Sequence, residues 1–435
     1  MKFKDLHPNV RLRVFEAFFS DTISGIIFPF MAIYFSQNLG AGLAGILLSI
    51  NIFIGIIASF YGGYLADKIG RKRLWAISEF IRFFSALIIA IANGFDFSSN
   101  HTAALITIGM FLINNICMGF SGPAAGAMLI DVSTKENRNF MYSVTFWANN
   151  LAAALGSLLG GFLFKDYLPQ LFVLLAIAYF ISAIIVTFFI SETYIAKTED
   201  TINKINILKD IFQKYSVVFK DRTFLLFTLG YLLILSLEFQ LPNYIAIKLS
   251  QTMPEQNLLP FLGFKIDGIN ILGLLRAENT IIVIFCMFLV SKIVKNLKDK
   301  HVWLTGFIFF SLGYIVLSYS NNAYILILFM VLASVGELMY YAPHKTYLSV
   351  LPPEHLRSSY LAVNDLVIRL SFLIAYICIY LSSILSHILM TLIFIAMAIL
   401  GLIILSSILP LLEKKLLKQT RISRNITKWR LYIYE

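Results

Sequence analysis

Ten ionisable side chains lie within long apolar stretches of this 435-residue sequence. In a membrane such groups are costly unless they are paired or face a polar cavity, so they mark candidate functional positions. The carboxyl groups among them are suited to exchanging protons and to attracting cations. The ten are Glu16, Asp21, Glu79, Arg82, Glu238, Arg276, Glu278, Glu337, Asp365 and Arg369.

Three of these carboxyl groups are candidates for proton coupling and for binding a cationic substrate. Glu337 lies in an apolar run with no basic residue one helical turn away. Apolar surroundings favour the protonated form of a carboxyl, which suits a group that takes up and releases protons. Glu238 precedes Pro242 by four residues, and a helix break there would open a polar pocket. Asp21 precedes Pro29 by eight residues and is the third candidate.

Two further pairs of charges have helical spacing. Glu79 and Arg82 are at i,i+3, and Asp365 and Arg369 are at i,i+4. We expect both to be ion pairs, with a structural role as the first interpretation. The alternative is a functional role.

A substrate pocket between helices would also need amide and aromatic groups. Phe, Tyr and Trp make up 15% of the chain, which suits apolar cations through stacking and cation–π contacts. Aromatic side chains are also common at lipid-facing and interfacial positions. The pocket candidates are Asn114, Asn149, Asn150, Gln240, Tyr341 and Arg276.

The composition places the chain in a membrane. Hydrophobic residues make up 59% and charged residues 14%, whereas soluble globular proteins have about 25% charged residues. Twelve apolar runs reach the length of roughly 20 residues that spans a bilayer as a helix. They lie near 13–37, 43–66, 74–93, 103–130, 139–164 and 169–190, then near 223–248, 270–291, 302–319, 323–343, 359–384 and 387–411. We predict an all-α polytopic membrane protein with twelve transmembrane helices in two six-helix halves.

The basic residues lie mainly on one side of these predicted spans. Of 35 Lys and Arg residues, 29 fall in the termini and in the connections on the same side as the termini. By the positive-inside rule both termini are cytoplasmic, in a multi-pass protein of the cell membrane. This placement also argues against nucleic-acid binding, despite a net charge of +11.

A polar segment divides the chain into four parts. We predict an N-terminal six-helix half at 1–190, a cytoplasmic linker at 191–221, a C-terminal half at 222–412 and a basic cytoplasmic tail at 413–435. The three cysteines lie far apart, so neither disulfides nor a metal site is expected. No Gly-rich loop ending in GK[ST] is present. We therefore expect neither enzyme activity nor a cofactor.

The connection between the second and third runs carries a motif. Residues 62–73 read GGYLADKIGRKR, which resembles the loop signature of the major facilitator superfamily, G-x-x-x-D-[RK]-x-G-[RK]-[RK]. The matching residues are Gly63, Asp67, Gly70, Arg71 and Lys72. Gly63 permits close helix packing, and Asp67 can meet a basic side chain or a positive helix terminus. The resemblance implies a conformational latch at this loop.

Glycines in the fifth run resemble a second motif. Residues 155–161 read LGSLLGG, similar to the G-P-x-x-G-G motif of drug–proton antiporters, with Ser157 in place of proline. The matching glycines are Gly156, Gly160 and Gly161, and a seam of small residues between helices would have the same composition. The arginine common in the fourth helix of those exchangers is replaced by Asn115.

A broader resemblance is to the lactococcal family of multidrug–proton antiporters. It rests on residues 130–133 and 136–138, on 146–151 and on 336–338. In that family acidic residues in the seventh and tenth helices take part in proton coupling and cation recognition, and the matching positions are Glu238 and Glu337. An acidic residue of its fifth helix is replaced by Thr145.

These resemblances imply a proton-coupled secondary transporter that exports hydrophobic, often cationic molecules by alternating access. The expected partners are a small-molecule substrate, protons and membrane lipids, and we expect a monomer. Transport of another solute, such as a sugar, peptide, siderophore or lipid precursor, remains an alternative. A membrane receptor or scaffold without transport is a further one.

Overall fold

The fold is described from a computed structural model of the chain. The described residues are 3–94, 99–134, 137–193, 216–259, 263–294, 297–353 and 356–433, apart from some side chains within helices. Within them, eleven helices are long and apolar enough to cross a membrane. The middle of the predicted linker, residues 194–215, lies outside the described residues.

The first half of the bundle contains six membrane-spanning helices. They are α1 (Pro8–Leu39), α2 (Ala41–Ile69), α3 (Arg71–Gly94), α4 (Asn100–Asp131), and α5 and α6, which are joined in one helix at Arg138–Ile184. This helix bends at Tyr167, where φ is −124° and ψ is 22°, and Pro169 follows the bend. We therefore treat 138–166 as α5 and 168–184 as α6.

The second half contains the other six. They are α7 (Arg222–Thr252), α8 (Gly268–Val294), α9 (Asp299–Tyr319), α10 (Ala323–Val350), α11 (Arg357–Ser382) and α12 (His387–Ile433). With the bend at Tyr167 counted, the twelve predicted spans in two six-helix halves are confirmed. The bundle has a termini face, where α1 begins and α12 ends, and an opposite far face.

A short β-hairpin on the far face departs from the all-α prediction. Strands β1 (Gln256–Leu259) and β2 (Phe264–Ile266) pair antiparallel, with Gln256 opposite Ile266. The side chain of Gln256 bonds to the backbone of Asn321 and Ala323, which fixes the hairpin to the start of α10. The two strands comprise only seven residues, too few for an alternating pattern of apolar and polar residues to be recognised in the sequence. The bonds that hold them join residues far apart in the chain.

Two helices are irregular at proline residues and meet between the halves. In α1 the segment Phe28–Phe30 is a 3₁₀ turn, and in α7 the segment Leu241–Ile245 is a π turn. These segments contact one another. Proline removes a backbone donor and so weakens the helix locally. The break expected near Pro242 is therefore present, just after Glu238.

Candidate functional site

Two carboxylates lie together inside the second half. Glu238 is the last residue of the regular helical segment Arg222–Glu238 with which α7 begins, and Glu337 lies in the middle of α10. The two carboxylates are close enough to interact electrostatically. Asn279 of α8 donates hydrogen bonds to Glu337 Oε2 and to Ser334 Oγ, both at 3.0 Å. The two carboxylates and Asn279 thus connect α7, α8 and α10, and the amide of Asn279 holds Glu337 in place.

Arg276 is a cation close to Glu238, and it also bridges the halves. Its guanidinium interacts electrostatically with Glu238. Its Nε donates to Ser157 Oγ of α5 at 3.1 Å. Ser157 is the residue that stands where the antiporter motif usually has proline. The departure from the motif therefore supplies a hydrogen-bond acceptor to the other half.

Three tyrosines enclose the carboxylate pair. Tyr314 of α9 and Tyr340 of α10 are 2% and 3% exposed, and both interact electrostatically with Glu238 and Glu337. Tyr231 of α7 does the same. Three hydroxyl groups that can exchange protons therefore lie within electrostatic range of the pair.

The first half contains a separate network around Arg82. Its Nη1 donates to both carboxylate oxygens of Glu79, at 2.8 and 3.1 Å, and its Nε donates to Asn114 Oδ1 at 2.9 Å. The guanidinium lies over the ring of Tyr179, 4.0 Å from its centroid. The predicted Glu79–Arg82 ion pair is therefore present and almost fully buried.

A second ion pair extends this network towards the termini face. Arg13 pairs with Glu16, which is 4% exposed and also accepts a hydrogen bond from Ser182 Oγ at 2.6 Å. Asp21 lies within electrostatic range of Arg13, and its own side chain is exposed. Asp21 thus adds a carboxylate to a network whose other charges are matched in pairs.

A cavity of about 260 Å³, which we call the central cavity, lies between the two halves. Carboxamides of Asn51, Asn114, Asn115 and Asn243 line it together with aromatic rings. Asn115 donates to the backbone and side-chain oxygens of Asn51 at 2.9 and 2.7 Å. Nδ2 of Asn51 is buried and has no hydrogen-bond partner among the described residues. The rings are those of Phe28, Phe111, Phe372 and Tyr376.

The halves touch closely near the far face. A Cβ added to Gly161 of α5 would lie 2.9 Å from Cα of Gly273 in α8, and one on Gly45 of α2 would lie 2.8 Å from the carbonyl oxygen of Tyr376 in α11. Only glycine permits such backbone approach between helices. Lys165 at the end of α5 pairs with Asp267 before α8 at 3.1 Å. We call this ion pair the far-face latch.

We expect Asp267→Asn to open the far face more often. Asp267 Oδ1 also accepts from the backbone N–H groups of Ile269 and Asn270, and asparagine keeps such a cap. The variant therefore removes only the ion pair, which is worth about 1 kcal/mol or less at an exposed site. The open population should rise by up to about 5-fold. Pulsed electron spin resonance distances between labels on His101→Cys and Ser386→Cys measure it, in a background without the native cysteines.

Lys265→Gln is the matched control for the latch. Lys265 pairs with Glu255 within the hairpin region, so its loss removes a far-face charge without touching the contact between halves. Equal distance distributions in Asp267→Asn and Lys265→Gln would contradict the latch.

The latch is not expected to respond to physiological acidification. Burial alone would raise the pKa of Asp267, but hydrogen bonds from Asn270, Lys165 and Ile269 outweigh it and hold the pKa below its ordinary value. A lowered pKa means that the pairing is complete above about pH 3.9 and is lost only as the pH falls through the lower value. The label distances should be the same at about pH 5 and about pH 8.

The loop motif lies at the termini face between α2 and α3. Gly70 has φ of +97°, a left-handed conformation that favours glycine. Arg71 pairs with Asp131 at the end of α4, and the backbone N–H of Lys72 donates to Glu192 Oε2 at 3.0 Å. Gly63 and Asp67 lie in α2, and the surroundings of their side chains are outside the described part of the structure. The described contacts of the motif stay within the first half.

The glycines of the second motif pack on both neighbours of α5. A Cβ on Gly156 would lie 2.8 Å from Cα of Gly25 in α1, and Gly160 packs against Ile26 of the same helix. Gly161 packs against Gly273 of α8, as described above. The motif therefore forms a small-residue seam that includes the contact between halves.

The other pocket candidates are placed differently. Asn114 lines the central cavity. A second cavity, at the far face, is lined by Tyr34, Lys165 and Asp267 among others. Neither cavity is lined by the remaining candidates Asn149, Asn150, Gln240 and Tyr341. Gln240 is fully buried, and Asn150 donates to its own helix at Phe146.

Sequence reasoning missed several residues of the site, and it mispaired one. Arg369 donates to Ser59 of α2 at 2.9 Å, whereas Asp365 is exposed, so the expected pair is not formed. Asn279 was missed, although it follows Arg276 by nearly one turn on the same helix. In the described residues no cluster of three or more His, Cys, Asp or Glu side chains could hold a metal ion.

Comparison with known proteins identifies the family. The model of the Major Facilitator Superfamily matches residues 14–264 and 260–433. The chain is 30% identical over 388 residues to a Na(+), Li(+), K(+)/H(+) antiporter of Planococcus maritimus, covering 87% of this chain and 90% of that protein. It is 23% identical over 356 residues to the multidrug resistance protein MdtH of Blochmanniella floridana, covering 80% of each.

Solved structures agree on the fold. A peptide transporter POT in complex with sulfate has a TM-score of 0.71 at 14% identity, covering 95% of this chain and 97% of that one. A D-xylose-proton symporter has a TM-score of 0.61 at 14% identity, covering 89% and 97%. These relatives and neighbours are transporters and not enzymes. The chain belongs to the major facilitator superfamily and is a multi-pass membrane transporter of small molecules.

Proposed function

We propose that this transporter is a proton-coupled antiporter that expels cationic solutes, with hydrophobic organic cations as the first candidate substrates. The observation that carries the proposal is the partly buried pair Glu238 and Glu337, of which Glu238 interacts with an arginine, Arg276. Two carboxylates against one guanidinium leave one negative charge to be neutralised in apolar surroundings. Either a proton or a cation can neutralise it, so the binding of one disfavours the other.

The central cavity supports organic cations. Its aromatic faces attract positive charge through cation–π contacts, and its carboxamides offer oxygen acceptors. A volume of about 260 Å³ is near the lower end of small-molecule pockets, at roughly 300 Å³. We therefore expect compact monovalent cations rather than large peptides or siderophores.

Exchange of alkali cations for protons is the second candidate. It is favoured by the 30% identity to the Planococcus antiporter, whose name gives Na⁺, Li⁺ and K⁺ as its ions. Carboxylate and amide oxygens are also ligands for hard cations. Both candidates share the same exchange of a proton for a positive charge.

The orientation and setting follow the distribution of charges. We propose that the termini face is cytoplasmic and that the protein acts as a monomer in the cell membrane, with its basic tail at 413–435 near anionic lipids. On this orientation the far-face contacts close the extracellular side, and alternating access requires them to open. Together with the motif around Asp67, they would control which face is accessible.

Proton release from proteoliposomes tests the two candidates. Vesicles with an acidic lumen and a trapped pH dye receive ethidium, tetraphenylphosphonium, Na⁺, Li⁺ or K⁺ outside. We expect the organic cations to make the lumen more alkaline, with no effect in vesicles lacking protein. A response to the alkali cations alone would replace the first candidate by the second. Substrate counterflow without any proton movement would contradict proton antiport, and a neutral solute would then become the better candidate.

A further inference from the structure

His344 of α10 is a buried imidazole without a hydrogen-bond partner. Its side chain is 2% exposed, and neither Nδ1 nor Nε2 has a partner among the described residues. Buried polar groups are almost always hydrogen-bonded, because leaving one unpaired costs about 1–3 kcal/mol. Because a phenylalanine would pack here without this cost, we expect the imidazole at position 344 to serve a function beyond packing.

Aromatic rings surround the imidazole. Phe227 stacks on it with centroids 4.6 Å apart and an interplanar angle of 13°, and the Tyr231 centroid lies at 3.9 Å. Trp303, Phe307 and Tyr340 complete the enclosure at 6.4, 6.3 and 6.5 Å. Aromatic faces attract positive charge, which offsets part of the cost of burying an imidazolium in this cage. The titratable and charged groups around the cage are Tyr231, Tyr340, Tyr347 and Lys345.

The position of His344 on its helix links it to the carboxylate pair. Glu337, Tyr340 and His344 follow at spacings of three and four residues, so they share one helix face. His344 is two turns nearer to the termini face, about 10 Å along the axis. Tyr231 contacts both Tyr340 and His344 and interacts electrostatically with Glu337. Proton-exchanging groups thus form a column from the pair towards the termini face. Proton transfer along it requires a tyrosine hydroxyl to come into hydrogen-bond contact with His344, since the described residues show no such contact.

We propose that His344 transfers protons between the Glu238–Glu337 pair and the termini face. The O–H bond of protonated Glu337 breaks as a tyrosine hydroxyl of the column accepts that proton and passes its own to His344, forming an N–H bond. The imidazolium then releases the proton to water at the termini face and becomes neutral again. This inference rests on the proposed proton antiport.

His344→Phe tests the transfer, because phenylalanine keeps the ring and the stacking and cannot carry a proton. Two assays are made in proteoliposomes with tetraphenylphosphonium, or with Na⁺ if the wild type transports only that ion. Equilibrium exchange of labelled substrate needs no net proton movement and should stay within about 2-fold of the wild type. Net transport driven by a proton gradient should fall by about 100-fold, a typical contribution of a positioned proton-transfer group.

Trp303→Phe is the control for the cage, since it alters the packing around His344 and leaves the imidazole in place. Its two rates should change together. Equal net transport in His344→Phe and the wild type would overturn the proposal, and so would an equal loss of exchange and net transport. If His344→Phe is not recovered as a monodisperse protein, His344→Gln serves the same comparison. A wild type that transports without moving protons would instead refute the antiport itself, and the role of His344 with it.

Discussion

Glu337→Gln is expected to abolish the effect of protons on substrate affinity while leaving the protein folded. Glutamine has the same shape and its oxygen can still accept the hydrogen bond from Asn279, but it has no charge to neutralise. Coupling between two ligands is typically about 1–3 kcal/mol, or about 5–150-fold in affinity. The wild type should therefore bind tetraphenylphosphonium that much more weakly at about pH 6 than at about pH 8. The variant should bind it equally at both.

Calorimetric titration of the purified protein measures this difference, and two further variants interpret it. Glu278→Gln is the matched control, because Glu278 lies next to Asn279 and does not interact with the pair. It should keep the pH dependence. Glu238→Gln should reduce the dependence, since it removes the second negative charge. Full pH dependence in Glu337→Gln would contradict a role of this residue in coupling, and loss only in Glu238→Gln would assign the proton to Glu238.

The helices could be predicted from the sequence because the bilayer imposes a local rule. A span needs about 20 apolar residues wherever it occurs, so each run is recognised without knowing its neighbours. The bend at Tyr167 shows the limit of this rule. There only Tyr167 departs from helical φ and ψ between the two spans. The two spans were predicted correctly, but the sequence did not predict that a nearly unbroken helix would join them.

The candidate site was predicted only in part, because its remaining contacts are non-local. Glu238 and Glu337 stand out in the sequence as single charges among apolar residues. Their proximity to one another, and the bond from Asn279, depend on how α7, α8 and α10 pack. Arg276 was named as a pocket residue, but its bond to Ser157 crosses 119 residues. The apolar runs predict that these helices exist and leave their rotation about their own axes undetermined.

The same reason explains the error at Arg369. Its spacing from Asp365 suits an ion pair on one helix, and such pairs contribute only about 0.2–0.5 kcal/mol. A hydroxyl on a neighbouring helix, Ser59, competes with so weak an interaction. Glu79 and Arg82 keep their pairing because both are largely buried, so that solvent cannot readily replace the partner. Burial therefore decides which of the two helical pairs forms.

Arg82→Met is expected to destabilise the first half strongly. Glu79 is 2% exposed and would be left as a buried carboxylate without its cation. Removing one partner of a buried ion pair costs about 3–5 kcal/mol. Asn114 and Tyr179 would also lose their contacts with the guanidinium. Thermal unfolding in detergent should show a large drop in melting temperature, whereas Lys345→Met, which removes an exposed cation from α10, should not.

The double variant Arg82→Met with Glu79→Gln identifies the cause. A neutral amide in place of the carboxylate removes the unpaired charge, so most of the lost stability should return. If the double variant melts as low as the single one, the contacts with Asn114 and Tyr179 are responsible instead. Recovery would show that this pair holds the structure because its charges cancel. Glu238 and Glu337 differ in this respect, since Arg276 interacts with Glu238, whereas the hydrogen-bond partner of Glu337 is the neutral amide of Asn279. The unmatched charge in the second half, and not burial as such, is what makes that pair available to a proton.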